Sequence, residues 1–331
     1  MARGAHRMEA HEERSDSMSA VFDLHCDTLT AFMTPGRCLD TLNDPQSAFA
    51  LCRLPQGQSW AQCCAIFVPD GLPEGDVFPF FHTHVESFRR QGARFADRAR
   101  ICRTAGEAEA AWERDKAALF LTVENGAVLG RDLGRAEELA RAGVVMVTLT
   151  WNGENAIGSG SQTDHGLTAF GREAVRELIR WGIVLDVSHL NDRGFWDLME
   201  ETDGPVAASH SNARAMCPHQ RNLTDRQARE IARRGGLVGL NYYSPFLRSD
   251  GRAAEFEDVY RHAAHFLELG LEHCLALGSD FDGADLPACL DGCEKVPELG
   301  RYLEEKLGRD TAEKVLWKNA WDFFARKIQN G

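Results

Sequence analysis

Residues 168–189 read TAFGREAVRELIRWGIVLDVSH. The first part, to Trp181, has the mixed apolar and charged pattern of a helix. Gly182 then stands where a helix C-terminus favours glycine. GIVLDVS, from Gly182 to Ser188, is apolar and β-branched and reads as a strand. His189 comes where the chain leaves that strand. Helix, glycine, buried strand and polar residue in that order form the repeating unit of a parallel α/β fold.

The same unit recurs along the chain. Strand-like runs are VFDL from Val21, AQCCAIFV from Ala61, AALFLTV from Ala117, VVMVTLT from Val144, GIVLDVS, PVAAS from Pro205, GLVGLNYY from Gly236 and LALGS from Leu275. Helix-like stretches such as DRQAREIARR and EDVYRHAAHFLEL stand between most of them. Eight candidate strands in 331 residues predict a (β/α)8 TIM-type barrel, with a doubly wound open sheet as the alternative. No Gly-x-Gly-x-x-Gly follows the first strand and no phosphate loop occurs, which removes support for nucleotide folds. Residues 69–116 are expected to be a polar, helical connection, and 283–300 a loop with two Cys and two Pro. The polar residues 1–17 are expected to be a disordered extension and 18–331 a single domain. The C-terminal AEKVLWKNAWDFFARKIQNG is read as an amphipathic terminal helix.

Asp plus Glu number 50 against 37 Lys plus Arg, a formal charge of −13. That balance argues against a nucleic-acid partner and against an anionic membrane surface. No apolar run reaches the ~20 residues of a membrane helix, and the first residues lack a signal-peptide core. The 10 cysteines lie mostly in apolar runs and form no Cys-x-x-Cys, so reduced thiols in a cytoplasm are expected.

The ends of the strands carry the chemistry. VFDL runs into His25 and Asp27, LFLTV into Glu124, LDVS into His189, VAAS into His210 and LALGS into Asp280. These are C-terminal strand ends, the face of a barrel that bears active sites. Period-2 geometry predicts that Asp23, His25 and Asp27 share a face, with Asp23 below the other two. Imidazole nitrogen and carboxylate oxygen suit Zn²⁺ and similar ions. Glu124 is the natural bridge if two ions lie at ~3.5–4 Å. His82 and His84 are two apart in a helix-like stretch and do not share a face; they are expected to be surface or packing residues. His262 and His265 are expected to be structural, and His219 and His273 are assigned no role.

The segments DLHCDTL, LTVENG, LDVSH, ASHSNARAMCPHQRNLTD and LGSDFDG, in that order over residues 23–283, resemble the renal (membrane) dipeptidase family, a branch of the metal-dependent amidohydrolase barrels. The resemblance implies a dinuclear zinc dipeptidase. His25 and Asp27 would hold one Zn²⁺, His189 and His210 the other, and Glu124 both. Asp280 would hold and deprotonate a bridging water. Arg221 would bind the terminal carboxylate of the dipeptide substrate, a task for which its two-pronged guanidinium is well shaped. Tyr243 would line the pocket.

Two features depart from that family. Trp151, in LTWNGEN, stands where the family often has a substrate-side His, so Trp151 is expected to shape the substrate pocket, with Asn155 offered as a replacement donor. The export and lipid anchor of animal members are not carried over; a cytoplasmic enzyme, with a homodimer as the candidate assembly, is expected. The alternatives are a related amidohydrolase acting on N-acyl amino acids, cyclic amides or β-lactams, and a non-catalytic ligand-binding barrel.

Overall fold

The computed structural model describes residues 20–31 and 41–327; the extension expected over 1–17 lies outside them. Nine strands are described: β1 (Ala20–Cys26), β2 (Ser59–Phe67), β3 (Ala99–Cys102), β4 (Ala117–Glu124), β5 (Val144–Thr148), β6 (Val184–Asp186), β7 (Ala207–Ala208), β8 (Leu237–Leu240) and β9 (Leu275–Leu277). All their pairings are parallel. Eight of them, all but β3, form the closed (β/α)8 barrel, sealed where β2 pairs with β4 from Ala61↔Ala118 to Phe67↔Glu124.

The ninth strand corrects the expectation that 69–116 is wholly helical. Helices Glu74–Arg94 and Ala105–Trp112 flank β3. β3 pairs with the first half of β4, from Ala99↔Ala117 to Cys102↔Phe120, and β5 takes the same edge from Leu121↔Val144 upward. β3 is four residues of sequence ARIC, too short and too half-exposed for hydrophobic alternation to reveal it. The loop expected over 283–300 ends at Gly292. A short helical turn, Cys293–Lys295, leads into helix Val296–Leu307, whose first turn accepts Pro297.

Around the starting stretch the local reasons are visible. Thr168 caps helix Ala169–Arg180 by accepting from the Gly171 N–H, and Ala174, Val175 and Leu178 are buried. Gly182 turns the chain with φ +72°, a conformation that suits glycine.

Two layers fill the barrel. The lower one is apolar: Phe22 and Leu24 of β1, Cys63 of β2 and Phe120 of β4 meet Phe323 and Phe324 of the C-terminal helix Asn319–Lys327. The rings of Phe22, Phe120 and Phe324 stack with centroids 5.2–5.5 Å apart. Each buried Phe contributes about 1.5–3 kcal/mol. The terminal helix thus closes the bottom of the barrel. Above this plug, Thr148, Asp186, Ser188 and Ser209 make a buried polar layer. Polar chemistry is left only the top. Among the described residues no helix is long and apolar enough to cross a membrane.

Candidate metal centre

β1 does not keep the alternation its sequence suggests. Its register to β2 runs from Asp23↔Gln62 to Cys26↔Cys64, so three steps on β1 face two on β2. This bulge turns His25 toward the axis directly after Leu24, itself an interior residue. Asp23 is therefore not beneath His25, as expected. It lies on the other side of the strand, accepting from Gln62 Nε2 at 3.0 Å, from the His25 N–H at 3.0 Å and from the Ser279 N–H at 3.1 Å. Asp23 fastens the bulge and ties β1 to the chain after β9. Burial raises its pKa to about 6 against these hydrogen bonds.

The strand ends converge as the sequence suggests. His25 Nε2 is 3.3 Å from Asp27 Oδ2 and 3.6 Å from Glu124 Oε2. The other Glu124 oxygen, Oε1, is 2.8 Å from His189 Nε2 and 3.8 Å from His210 Nε2. One carboxylate thus faces the His25–Asp27 pair with one oxygen and the His189–His210 pair with the other. Asp280 Oδ1 lies 3.9 Å from His25 Nε2. Three overlapping sets can each surround an ion: His25, Asp27 and Glu124; Glu124, His189 and His210; His25, His210 and Asp280. This clustering of His, Asp and Glu side chains can hold one or more metal ions.

The hydrogen bonds around the cluster fit a cation. His189 Nδ1 lies 3.0 Å from Asn152 Oδ1, an acceptor, so Nδ1 carries the proton and Nε2 a lone pair. Ser209 Oγ donates to Asp186 Oδ2 at 2.6 Å and lies 2.7 Å from His210 Nδ1, which leaves His210 in the same tautomer. The two Nε2 atoms then face each other at 3.0 Å beside a carboxylate oxygen. Lone pairs converging in a buried space are satisfied by a positive ion. Burial holds both imidazoles below their ordinary pKa and keeps them in the neutral ligand form. Asp27 Oδ1 is also buried without a hydrogen-bond partner.

These supporting residues were not identified from the sequence. Asp186 is fully buried and accepts from the Ser188 and Ser209 N–H groups and from Thr148 Oγ1 as well as from Ser209 Oγ. Asn241, after β8, donates to Asp280 Oδ2 at 3.0 Å. The only sequence signal was position: Asp186 and Ser209 precede the His residues by three and one positions in LDVSH and ASH. His189, Asp280 and Asp282 have φ between +65° and +68°, a region that His and Asp enter more readily than most residues. Asp280 and Asp282 then diverge. Asp282 accepts from Thr28 Oγ1 at 2.6 Å and from the Ala48 N–H at 2.8 Å, holding loops together, whereas Asp280 faces the cluster.

A cavity of about 690 Å³ opens over the cluster, and Arg221, Tyr243, Phe246 and Trp151 line it. Arg221 is 6% exposed, its Nε and Nη2 are buried without acceptors, and its guanidinium sits 5.3 Å from the Phe246 ring centroid. Burial lowers its pKa to about 10, so it stays charged at neutral pH. Asn155 cannot serve as a replacement donor at the site: its amide donates to Asn125 Oδ1 and the Leu149 carbonyl, folding its own loop. The other histidines named above lie outside the cluster. His82 is exposed and His84 bonds the Phe80 carbonyl. His262 bridges the Ala213 N–H and the Leu247 carbonyl, and His265 pairs with Asp225. His219 accepts from the Arg221 N–H, and His273 is exposed.

The sequence profile of the family described as membrane dipeptidase (peptidase family M19) matches residues 10–327. An uncharacterised protein in the pqqA 5′ region of Klebsiella pneumoniae is 34% identical over 261 residues, 74% of this chain and 95% of that protein. A metallopeptidase from Rhodobacter sphaeroides, solved with a phosphinate mimic of the dipeptide L-Ala-D-Ala, superposes with TM-score 0.88 at 28% identity, covering 94% of this chain and 100% of that one. The dipeptidase AC, a metallopeptidase of family M19, superposes with TM-score 0.87 at 29% identity, covering 93% and 98%. Profile, relatives and the convergence of His and carboxylate side chains agree: this chain belongs to the membrane dipeptidase family of metallopeptidases, peptidase family M19.

Proposed function

We propose that the chain hydrolyses dipeptides with two Zn²⁺ ions, His25 and Asp27 holding one, His189 and His210 the other, and Glu124 both. The observation that carries this reading is Glu124, whose two oxygens face two separate ligand pairs. Bound there, the ions supply Lewis acidity to the reacting carbonyl and lower the pKa of water toward neutrality. The chain's own groups do the rest. Arg221 offers two unpartnered N–H groups to the substrate's terminal carboxylate and fixes the register of the peptide. Asp280, oriented by Asn241, accepts the proton of the attacking water and passes it to the leaving amine. Trp151 can donate only its indole N–H and acts chiefly as a wall.

The single domain over 18–331 and a cytoplasmic setting belong to this reading. The described cysteines are unpaired, and most are buried, which supports a reducing compartment. A homodimer is the assembly we propose, to be checked by sedimentation velocity, and the −13 charge favours small substrates over nucleic acid.

The test is amino-acid release from a panel of L-L and L-D dipeptides, beside N-acyl amino acids and cyclic amides, with and without chelator. Chelator-sensitive release from dipeptides is expected. Turnover confined to N-acyl amino acids or cyclic amides would replace the dipeptidase reading by that of a related amidohydrolase.

A further inference from the structure

His189 differs from the other candidate ligands in what steers it. His210 is braced by Ser209 and Asp186, which stand at the ends of adjacent strands. His25 and Asp27 lie on or directly after β1; the His25 carbonyl accepts from Ser279 Oγ, and the Asp27 N–H donates to the Phe281 carbonyl. His189 Nδ1 instead meets Asn152 Oδ1, in the loop between β5 and helix Ala169–Arg180. The orientation of this ring therefore depends on where that loop is held.

The loop is held at the end of β2, which is separated from β5 by β4 in the barrel. Phe67, the last residue of β2, meets Trp151 edge to face with ring centroids 5.0 Å apart. A little further along the chain, Asp70 Oδ2 accepts from the Gly153 N–H at 2.7 Å. The other oxygen of Asp70 accepts from Asn125 Nδ2 at 3.0 Å, and Asn125 directly follows Glu124. Asn125 Oδ1 in turn accepts from Asn155 Nδ2 at 2.8 Å. One carboxylate thus ties the chain after β2 to the chain after β4 and to the loop after β5. Two converging N–H donors suit a carboxylate, which when ionised only accepts and makes stronger bonds than a neutral group.

Gly153 is fitted to this contact. A Cβ at that position would lie 2.8 Å from Asp70 Oδ2, and the three atoms nearest to it all belong to the Asp70 carboxylate. The residue clamped in this way directly follows Asn152, the acceptor for His189.

We propose that Asp70, an exposed side chain outside the ligand cluster, is a positioning residue for the metal centre: by clamping Gly153 it sets Asn152 against His189, and so sets the affinity of the ion that His189 and His210 hold. The ion at His25 and Asp27 does not depend on it. This rests on the two-ion reading above and deepens it by naming a residue that controls one ion and not the other.

The test is a Zn²⁺ titration of the metal-stripped full chain against a chelator of known affinity, for the unmodified protein and Asp70→Ala. One of the two equivalents should bind ~3–10-fold more weakly and the other within about two-fold, a smaller loss than the ~10–100-fold that follows removal of a group in direct contact with a ligand. In the metal-free protein, the imidazole ¹⁵N resonances of His189 should move from a single tautomer, protonated at Nδ1, toward a mixture. A general loss of stability would not produce that change. Gly153→Ala should weaken the same equivalent, because the added methyl pushes the carboxylate aside, and should add nothing when Asp70 is already Ala. Asp132→Ala is the control: Asp132 is also exposed and accepts a glycine N–H, that of Gly134 at 2.9 Å, within its own turn, and its loss should leave both equivalents unmoved. Both equivalents unchanged in Asp70→Ala, equal weakening of both, or additive effects of Asp70→Ala and Gly153→Ala would overturn the proposal. Binding of a single ion by the unmodified protein would overturn the two-ion reading and this proposal with it.

Discussion

The hydroxyl of Ser209 lies 2.7 Å from Nδ1 of His210 and donates to Asp186 at 2.6 Å, so a buried carboxylate reaches one candidate ligand through a single oxygen. Thr148 Oγ1 donates to the same Asp186 oxygen at 2.6 Å but is not hydrogen-bonded to His210. This asymmetry separates positioning from packing. Ser209→Ala should weaken metal affinity by ~10–100-fold, the usual cost of losing a partner behind a ligand. Thr148→Val should cost stability and leave affinity within a few-fold. Competition with a chelator of known affinity measures both, and equal weakening in the two variants would reduce the Ser209–His210 contact to a structural one.

Asp280 and Asp282 predict opposite phenotypes from neighbouring positions. Asp280→Asn should retain metal and lose ~10²–10⁴-fold in turnover, the range for a proton-transfer group. Asp282→Asn weakens acceptors used by Thr28 and Ala48 and should lower stability by about 1–3 kcal/mol with a smaller loss of rate. Steady-state kinetics paired with denaturant midpoints would show the assignment to be reversed if the two results were exchanged.

Arg221→Lys should lower kcat/KM for free dipeptides by about 10-fold or more, since Lys cannot make the paired hydrogen bonds to a carboxylate. Dipeptide amides, which lack the carboxylate, should lose much less. Losses of the same size on both substrate types would point to packing against Phe246 instead.

His262 links the chain after β7 to the Leu247 carbonyl, and burial lowers its pKa to about 4 from an ordinary 6.5. The folded state resists protonation that the unfolded chain accepts. Its contribution is therefore present above pH 6.5 and lost as pH falls toward 4. That depression corresponds to about 3 kcal/mol. His262→Gln, which can still accept and donate, should be less stable than the unmodified protein at pH 8. The gap should close by about 3 kcal/mol near pH 4. A constant gap across that range in urea denaturation would contradict the account.

How much of this was legible in the sequence follows from what each feature depends on. The barrel and its polar strand ends were readable because β-branched runs, intervening helices and the residue after each run are local. β3 was not, since a four-residue strand on half of an edge leaves no periodic trace. The placement of Asp23 failed because a bulge shifts the alternation, and bulges depend on the partner strand, here Asp23↔Gln62. Asn152, Asp186 and Asn241 act through residues distant in sequence, and Ser209, although next to His210, takes its role from the bond to Asp186 on the neighbouring strand, which position alone does not reveal. Arg221 entered through resemblance to a family, whereas its unpartnered buried N–H groups are a three-dimensional fact.

The central claim is that two ions bridged by Glu124 carry dipeptide hydrolysis. Its most direct test strips the enzyme of metal with chelator, returns Zn²⁺ in measured equivalents and follows amino-acid release from Ala-Leu. The account predicts no release without metal and a rise that completes at two equivalents per chain, matched by two ions per chain in elemental analysis. Release that persists in the stripped enzyme, or that completes at one equivalent with one ion bound, would contradict it.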